Sequence, residues 1–527
     1  MRRPTSVVFT ALLALACAAR GAAAQKKPPL TARVGIIGGG ISGMRAAAVL
    51  QAAGQDYVVL EADTKIGGRM RNTPVLDVKT GQPMAPAQYV ELGANWVQGL
   101  DGNPVYTLAQ ECGLTGSPQN WDSVISFDEL GRPVADKDIP WRQFDRALEC
   151  VSTTVQQEVQ ANTYGGDIDV RAGLRLCGWN PVKPIDYAVE WFSENFEWAE
   201  TAEMIGVRRT HPSNAYSDFK DADIFAHQQD EQGIARLIHC MATKAGVPAD
   251  RVKLNTRVTA LSVSGNKVSA VTSAGTWTFD YVINTMPIAH MQRNVDKLFG
   301  SLYTPSKRAA LMQFRMATYT KIFLKFESMF WPGNTQFIMQ APDNGATNMI
   351  LWQSLSPTTG GFLPGSNIIM VTITDVMSAQ MEALPDAVIL QKVVTRLQAI
   401  YPVANTTGSM LTGYVIPRWY TNDLFGGSYT NWPAGMTEEG YEIMREPVGT
   451  PGDMSAPGKI LMAGEAACKR MNGYMPGGYA AGERAANQIL KGLGLFSGDP
   501  DQNICERKLT SNGRPVGMKA RGAGRAV

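Results

Sequence analysis

The stretch Val34-Gly-Ile-Ile-Gly-Gly-Gly-Ile-Ser-Gly43 decides the fold of this chain. Short apolar residues lead into Gly38, Gly40 and Gly43, and the residues from Met44 to Leu50 are typical of a helix. A strand, a tight turn and a helix N-terminus in this order bring free backbone N–H groups and the positive end of the helix dipole to one point. The pattern therefore predicts a pyrophosphate site at the start of a βαβ unit.

Two features that follow the turn extend this site. A second strand, Tyr57-Val-Val-Leu60, ends in Glu61, about 20 residues after the glycines, where a carboxylate can bind a ribose hydroxyl. Gly67-Gly68-Arg69 comes next and offers close backbone approach with a guanidinium beside phosphate. An ordinary turn would explain glycines in a chain that has 52 of them, but it would not explain Glu61 or Arg69. The sequence therefore predicts a dinucleotide site.

Length and composition predict a globular protein of two or more domains. The chain has 527 residues, of which 44% are hydrophobic and 18% charged, and it is too long for one simple core. The formal net charge of +2 argues against a dedicated nucleic-acid binder. The cysteines and the four histidines show no spacing typical of a metal site, so no metal is expected.

The two ends of the chain are predicted to lie outside the fold. Two arginines precede an apolar run at residues 7–19, and Ala22-Ala23-Ala24 is typical of a cleavage site, so residues 1–24 are predicted to be a signal peptide. The run is too short for an integral membrane helix, which predicts a secreted or lumenal protein. Six cysteines remain after cleavage and permit disulfides in an oxidising compartment, with the pairing left open. Residues 500–527 are predicted to be a basic, disordered tail.

Alternating strand and helix patterns predict an α/β fold with α+β character, made of two interleaved, discontinuous domains. A Rossmann-like dinucleotide-binding domain is predicted at 32–110, 230–295 and 415–492. A substrate-binding domain with a mixed sheet and helices is predicted at 111–229 and 296–414.

Several ordered blocks between about Arg33 and Leu490 carry a resemblance to a known family. The blocks are Val90-Glu-Leu-Gly-Ala-Asn-Trp-Val97, Ala317-Thr-Tyr-Thr-Lys-Ile-Phe-Leu-Lys-Phe326, Pro417-Arg-Trp419 with Gly427-Ser-Tyr-Thr-Asn-Trp432, and Gly464-Glu465 with Asn472-Gly-Tyr474. In these blocks the chain resembles the flavin-containing amine oxidases, and most of all the secreted plant-type polyamine oxidases. The resemblance implies FAD, and not a nicotinamide, at the N-terminal site.

The resemblance also implies which residues hold the cofactor. Glu465 is expected to bond the ribityl chain, with a helix cap as the alternative, and the backbone of Val258 is expected to contact adenine. Ser428 stands where covalently flavinylated relatives carry cysteine, so noncovalent FAD is expected. The implied cofactor residues are Gly38, Gly40, Gly43, Glu61, Arg69, Gly93, Ala94, Asn95, Trp96, Val258, Trp419, Gly464 and Glu465.

Three residues match catalytic positions of the family. Lys321 lies on a strand pattern where Tyr319 and Phe323 share its face. Related enzymes place this lysine through a water at flavin N5, where it serves in reoxidation by dioxygen; a solvated strand lysine is the alternative. Tyr429 and Tyr474 match two aromatic positions that flank the substrate nitrogen. Core packing is the alternative for either tyrosine alone.

The expected substrate residues are Glu197, Gln98 and Tyr319. Glu190, Glu194 and Glu197 follow one another at i, i+4 and i+7 of a predicted helix. Glu197 matches a tunnel glutamate of the plant enzymes, whereas Glu190 and Glu194 are expected to be solvated. The partner carboxylate of those enzymes follows Asn-Trp-Val, where this chain has Gln98. Gln98 keeps hydrogen bonding but removes a charge that would hold an ammonium group.

The resemblance implies oxidation of a secondary amino group of spermine or spermidine, by hydride transfer to flavin N5. Imine hydrolysis to an aminoaldehyde and an amine, and reduction of dioxygen to hydrogen peroxide, would complete the reaction. The resemblance to secreted plant enzymes favours cleavage that releases 1,3-diaminopropane. Because Gln98 departs from the family pattern, cleavage that releases 3-aminopropanal stays an alternative. An L-amino-acid oxidase, which needs an arginine clamp, and a catalytically silent flavoprotein are the alternatives. The expected partners are a small amine and dioxygen, and the chain is expected to be a monomer.

Overall fold

The computed structural model describes residues 30–100, 102–210, 219, 223–226, 230–343, 349–356, 362–404, 410–449 and 458–506. The predicted signal peptide at residues 1–24 lies outside these residues, and so do residues 507–527 of the tail predicted at 500–527. The prediction of disorder is wrong for residues 500–506, because Cys505 is fully buried and bonded to Cys468. Within them, strands and helices alternate along the chain and the sheets are of both parallel and mixed kinds. The predicted α/β class with α+β character is confirmed. The division into two domains stays a prediction.

A five-stranded parallel sheet of the described chain carries the glycine turn. Its strand order is Val252–Lys253, Tyr57–Leu60, Val34–Ile37, Tyr281–Asn284 and Ile460–Met462. The central strand Val34–Ile37 is buried on both faces, which explains its unbroken run of apolar residues and glycine. The sheet thus joins the start of the chain to a strand near its end.

Helix Ile41–Ala52 leaves the glycine turn and packs along the long helix Met475–Gly492. A Cβ atom at Gly43 would lie 1.9 Å from the carbonyl oxygen of Gly38, and one at Gly482 would lie 2.0 Å from that of Ser42. Glycine is therefore required at both positions for close packing.

An eight-stranded mixed sheet forms a second layer. Its order is Pro133–Val134, Val124–Phe127, Phe337–Gln340, Leu351–Ser354, Ile368–Thr374, Tyr319–Phe326, Leu411–Val415 and Leu76–Asp77. The strand Tyr319–Phe326 lies between two antiparallel neighbours, with Lys321 opposite Thr372. Both edges of the strand are therefore paired, and residues on both of its faces are buried.

Smaller sheets connect these two layers. Trp96–Gln98, Asp223–Ala226 and Gly116–Pro118 form a three-stranded antiparallel sheet with the Asp223 strand in its centre. The remaining strands are Leu30–Thr31, Gly275–Phe279, Lys267–Thr272 and Val258–Ser264 in one sheet, and the pairs Arg315–Ala317 with Tyr429–Asn431 and Asn72–Pro74 with Tyr89–Glu91.

The helices cover the sheets and include two π-turns. The α-helices are Ile41–Ala52, Pro104–Glu111, Trp141–Cys150, Gln156–Gln160, Val170–Leu176, Pro184–Glu190, Phe196–Trp198, Val207–Thr210, Arg236–Lys244, Ile288–Phe299, Pro305–Gln313, Asp375–Glu382, Asp386–Gln398, Glu438–Arg445 and Met475–Gly492. Short 3₁₀ turns occupy Asp136–Asp138, Gly233–Ala235, Ala249–Arg251, Gly300–Leu302 and Glu465–Ala467. The π-turns are Val151–Val155 and Trp191–Asn195. None of the helices in the described ranges is long and apolar enough to cross a bilayer.

The six cysteines that follow the predicted signal peptide form three disulfides. Their pairs are Cys112 with Cys240, Cys150 with Cys177, and Cys468 with Cys505. The first pair links the residue that follows helix Pro104–Glu111 to the middle of helix Arg236–Lys244, and the last pair ties the C-terminal segment to residues just after Glu465. Spacing along the sequence left this pairing open.

Candidate active site

A single cleft brings together nearly all of the predicted site residues. It encloses about 1910 Å³, a volume that includes space open to solvent. The cleft is lined by Gly38, Gly40, Glu61, Arg69, Gly93, Ala94, Asn95, Trp96, Gln98, Glu197, Val258, Tyr319, Lys321, Trp419, Ser428, Tyr429, Gly464, Glu465 and Tyr474. Gly43 does not line the cleft, because it packs against the backbone of the turn at Gly38.

One end of the cleft is formed by the start of helix Ile41–Ala52. The helix begins after Gly40 without a side-chain cap, and its residues Ile41 and Ser42 line the cleft. Its first N–H groups therefore have no partner within the helix, and the dipole is positive there. Gly38 has a φ of +100°, a conformation that favours glycine. The geometry of this end suits a pyrophosphate.

Glu61 stands beside that turn as a buried carboxylate. Gly39 N–H donates to its Oε2 at 2.5 Å and Asp63 N–H donates to its Oε1 at 2.7 Å. Burial raises the pKa of Glu61, and these two hydrogen bonds oppose the rise. Val258 and Arg257 line the same end of the cleft. The carboxylate is thus held beside the glycine turn at the edge of the cleft, and its bond to a ribose hydroxyl stays a prediction.

Arg69 and Glu465 both line the cleft and form an ion pair at 2.8 Å. Arg69 also donates to the carbonyl oxygen of Ser428 at 2.9 Å. The second oxygen of Glu465 accepts from the hydroxyl of Thr430 and from the N–H of Gly473, the latter at 2.8 Å. Glu465 therefore links both ends of the chain, while its predicted bond to a ribityl chain stays a prediction.

Gly93 and Trp419 show how closely the backbone packs around the cleft. A Cβ atom at Gly93 would lie 1.9 Å from the carbonyl oxygen of Arg69 and 3.2 Å from the Trp419 ring. The Trp419 indole is 4% exposed and donates to the carbonyl oxygen of Leu92 at 3.3 Å. Its ring meets Phe425 edge to face at 5.2 Å. Trp419 thus forms a fixed apolar wall of the cleft.

Lys321 is the buried cation of the site, with 2% of its surface exposed. Its Nζ donates to Oδ1 of Asn95 at 2.8 Å and to the carbonyl oxygen of Gly93. Nζ also lies 5.7 Å from the Trp96 ring centroid. Burial lowers the pKa of Lys321 below its usual range. The alternative of a solvated strand lysine is therefore wrong.

Glu91 is a neighbour of Lys321 that the sequence analysis quoted but did not select. It is 6% exposed, and its Oε1 accepts from the N–H of Ile234 at 2.7 Å. Burial raises the pKa of Glu91, whereas the charge of Lys321 lowers it. The charge of Glu91 in turn favours the protonated form of Lys321. The sequence signal that could have identified Glu91 was its place within the block Val90–Val97.

Glu197 joins the two predicted catalytic tyrosines. The Tyr474 hydroxyl donates to Oε1 of Glu197, and the Tyr429 hydroxyl donates to its backbone oxygen at 2.8 Å. Burial raises the pKa of Glu197 to about 7, against the lowering effect of Tyr474. The carboxyl is therefore able to bind or release a proton near neutral pH.

Glu190 and Glu194 are not solvated, so that expectation is wrong. They are 2% and 1% exposed. Glu190 pairs with Arg171 and accepts from the Trp179 indole at 2.9 Å. Among the described residues neither oxygen of Glu194 has a hydrogen-bond partner, and burial raises its pKa to about 8. The helical segment that carries Glu190 and Glu194 is covered by protein on the side of these glutamates as well as on its apolar side.

Aromatic rings continue from Tyr429 along the cleft wall. Ring centroids are separated by 6.0 Å between Tyr429 and Tyr319, by 5.7 Å between Tyr319 and Phe196, and by 6.1 Å between Phe196 and Trp121. The sequence analysis missed the contribution of Trp121, which comes from a part of the chain with little pattern. Such faces attract both apolar chains and cations.

The side chain of Ser428 is hydrogen-bonded to the backbone of Tyr319. Its hydroxyl donates to the carbonyl oxygen of Tyr319 at 3.0 Å and accepts from the Tyr319 N–H at 2.9 Å. It presents no thiol to the cleft, and noncovalent attachment stays a prediction.

The cleft thus combines an uncapped helix N-terminus, a carboxylate at its edge and a wide apolar middle, which together suit a flavin dinucleotide. The family model described as flavin containing amine oxidoreductase matches residues 41–162 and 190–490. The chain belongs to the flavin-containing amine oxidoreductases. It is similar to polyamine oxidase 6 of Oryza sativa subsp. japonica, with 30% identity over 93% of this chain and 97% of that protein. It is also similar to polyamine oxidase 1 of Zea mays, with 28% identity over 92% and 94%.

These relationships identify the protein as an FAD-dependent amine oxidase, as the sequence resemblance predicted. FAD fits the uncapped helix start after Gly40, whose N–H groups suit a pyrophosphate and which lines the cleft. The roles of the individual site residues stay predictions that the geometry permits.

Proposed function

We propose that this amine oxidase acts on a secondary amino group of a polyamine such as spermine or spermidine. The products would be an aminoaldehyde, an amine and hydrogen peroxide, formed with one dioxygen and one water. Bound FAD supplies the hydride acceptor at N5 and passes the electrons to dioxygen. The observation that carries the proposal is Glu197, a carboxylate held by Tyr474 inside an aromatic cleft.

The residues around Glu197 suit a flexible cationic chain. Aromatic rings cover its methylene groups and attract its ammonium groups, and the carboxylate of Glu197 balances a charge. Tyr429 and Tyr474 hold Glu197 through its backbone and its side chain, respectively. They thereby fix the carboxyl relative to the reacting nitrogen, which must be neutral to react. Lys321 is proposed to orient the water that serves flavin reoxidation.

The arginines that line the cleft favour an amine over an amino acid. Arg69 pairs with Glu465, and Arg257 pairs with Asp423 at the Val258 end. Neither presents a free guanidinium beside Glu197, where the carboxylate of an L-amino acid would need one.

A peroxide assay with product analysis tests the proposal. Spermine, spermidine, their N-acetyl forms and several L-amino acids are supplied to the FAD-loaded enzyme, and the products are identified by mass. Peroxide from polyamines with an aminoaldehyde product supports the proposal, and the mass distinguishes 1,3-diaminopropane from 3-aminopropanal. Turnover of L-amino acids alone favours the amino-acid oxidase, and turnover of none with FAD bound favours a silent flavoprotein.

We also propose that the protein is secreted after cleavage before Gln25. Three disulfides support this location, because disulfides persist mainly in oxidising compartments. Intact mass measurement of the protein from culture medium tests it: a mature chain that begins at Gln25 is expected, and retention of residues 1–24 inside the cell would contradict it.

A further inference from the structure

The strand beside Gln98 carries a buried carboxylate that no sequence motif identified. In the antiparallel pair of Trp96–Gln98 with Asp223–Ala226, Asp223 lies directly opposite Gln98. Side chains at directly opposite positions share one face of a sheet. Asp223 is 4% exposed, whereas Gln98 lines the cleft. A carboxyl group is therefore present on the strand next to Gln98, which has none.

Two donors at the cleft side hold the Asp223 carboxylate. The N–H of Gly99 donates to Oδ1 at 3.1 Å, and the indole Nε1–H of Trp121 donates to Oδ2 at 3.0 Å. Both oxygens therefore act as acceptors, which an ionised carboxylate provides and an amide does not. The charge reaches the reacting end of the cleft as well, because Asp223 contributes to the raised pKa of Glu197.

Trp121 transmits the charge of Asp223 to the cleft. Its ring lines the cleft together with Gln98 and Phe196, and Phe337 stacks on it at 5.2 Å. A carboxylate that accepts from the indole N–H increases electron density in the ring, and an electron-rich ring attracts a cation more strongly. Asp223 thus acts on a bound cation without lining the cleft itself.

We propose that Trp121, backed by Asp223, forms a subsite for an ammonium group remote from the reacting nitrogen. Asp223 supplies there the negative charge that Gln98 does not. The inference rests on the proposed polyamine oxidation and names the residues that select a polycation over a monoamine. Asp223 is a positioning residue in this account, since it acts through the Trp121 ring.

The test compares Asp223→Asn with Asp122→Asn, whose exposed carboxylate follows Trp121 directly in the sequence. In the FAD-loaded enzyme, Asp223→Asn is expected to raise the KM for spermidine about tenfold, or about 1.4 kcal/mol. The kcat and the KM for a secondary monoamine are expected to change less than about twofold, and Asp122→Asn to change none of them. Gln98→Glu combined with Asp223→Asn is expected to restore the spermidine KM.

Several outcomes would overturn the inference. An unchanged spermidine KM in Asp223→Asn, or an equal rise for spermidine and the monoamine, would do so. If Asp223→Asn does not fold, Trp121→Phe replaces it, because it keeps a ring but removes the N–H that Asp223 binds. It is expected to raise the spermidine KM selectively, and an unchanged KM would contradict the subsite.

Calorimetric titration with spermidine separates this inference from the proposed function. Wild-type holoenzyme that binds spermidine more tightly than Asp223→Asn, but releases no peroxide, supports the subsite and contradicts the proposed reaction. Equal affinity of the two proteins for spermidine, or no binding by either, contradicts the subsite whatever the activity.

Discussion

The hydroxyl of Tyr474 donates a hydrogen bond to the carboxyl group of Glu197 and so joins the start of the last helix to the helical segment that ends at Trp198. This contact places a titratable acid and a phenol side by side in the cleft. Burial raises the pKa of Glu197 to about 7, and the hydrogen bond from Tyr474 stabilises its charged form.

Tyr474→Phe should move the pH profile of the enzyme. Loss of the hydrogen bond removes an effect that lowers the pKa of Glu197, so its ionisation occurs at a higher pH. The acidic limb of kcat/KM for spermidine is expected to shift upward from about 7. Tyr429→Phe is the control, because its hydroxyl binds the backbone oxygen of Glu197 and not the carboxyl. If the acidic limb of the pH profile lies at the same pH in wild type, Tyr474→Phe and Tyr429→Phe, Glu197 is excluded as the ionising group.

Lys321→Met should retain yellow, FAD-bound protein but slow reoxidation of the reduced flavin. A group that positions a proton or a water contributes roughly 100-fold, and a loss of that order is expected. Stopped-flow mixing of reduced enzyme with dioxygen measures it. Lys325→Met lies on the same strand, where Lys325 bonds the carbonyl oxygen of Ser366 at 2.6 Å, and should reoxidise normally. Wild-type rates in Lys321→Met would remove Lys321 from the mechanism.

Glu194→Gln should change how stability depends on pH. The pKa of Glu194 rises from 4.5 to about 8 on folding, so the folded state binds the proton more tightly than the unfolded state. Stability from this group is present below pH 4.5 and is lost as the pH rises toward 8, by up to about 1.4 kcal/mol per pH unit. Urea unfolding of Glu194→Gln should show a flatter pH dependence than wild type. The exposed Glu149→Gln should match wild type, and a wild-type slope in Glu194→Gln would show that Glu194 is ionised when buried.

The predicted noncovalent FAD is checked by acid precipitation. Because Ser428 offers a hydroxyl and not a thiol, all of the flavin colour is expected in the supernatant. Flavin that stays with the protein pellet after denaturation would reveal a covalent bond and contradict the prediction.

Local patterns were sufficient for the parts of the site that lie next to one another in sequence. The glycine turn at Val34–Gly43, the strand that carries Lys321, and Glu61 at the end of a strand follow from periodicity and motif spacing. The family resemblance then supplied residues such as Tyr429 and Tyr474, whose roles no local pattern indicates. The structure brings these distant blocks to one cleft.

The parts of the site that the sequence did not predict depend on contacts between segments that are distant along the chain. Asp223 acquires its place only when its strand pairs with Gln98, far away along the chain. Glu190 and Glu194 appeared solvated because helical spacing shows which residues share a face, but not what covers that face. Arg171, from another helix, pairs with the charge of Glu190, and Trp179, from a loop, donates a hydrogen bond to it. The sequence of the helix itself shows neither contact.

Anaerobic mixing of the FAD-loaded enzyme with spermidine tests the central claim most directly. The visible flavin absorption is expected to bleach on mixing and to return on admission of air, with one hydrogen peroxide released for each aminoaldehyde formed. Flavin that stays oxidised with every polyamine, but is bleached by an L-amino acid, would contradict the account.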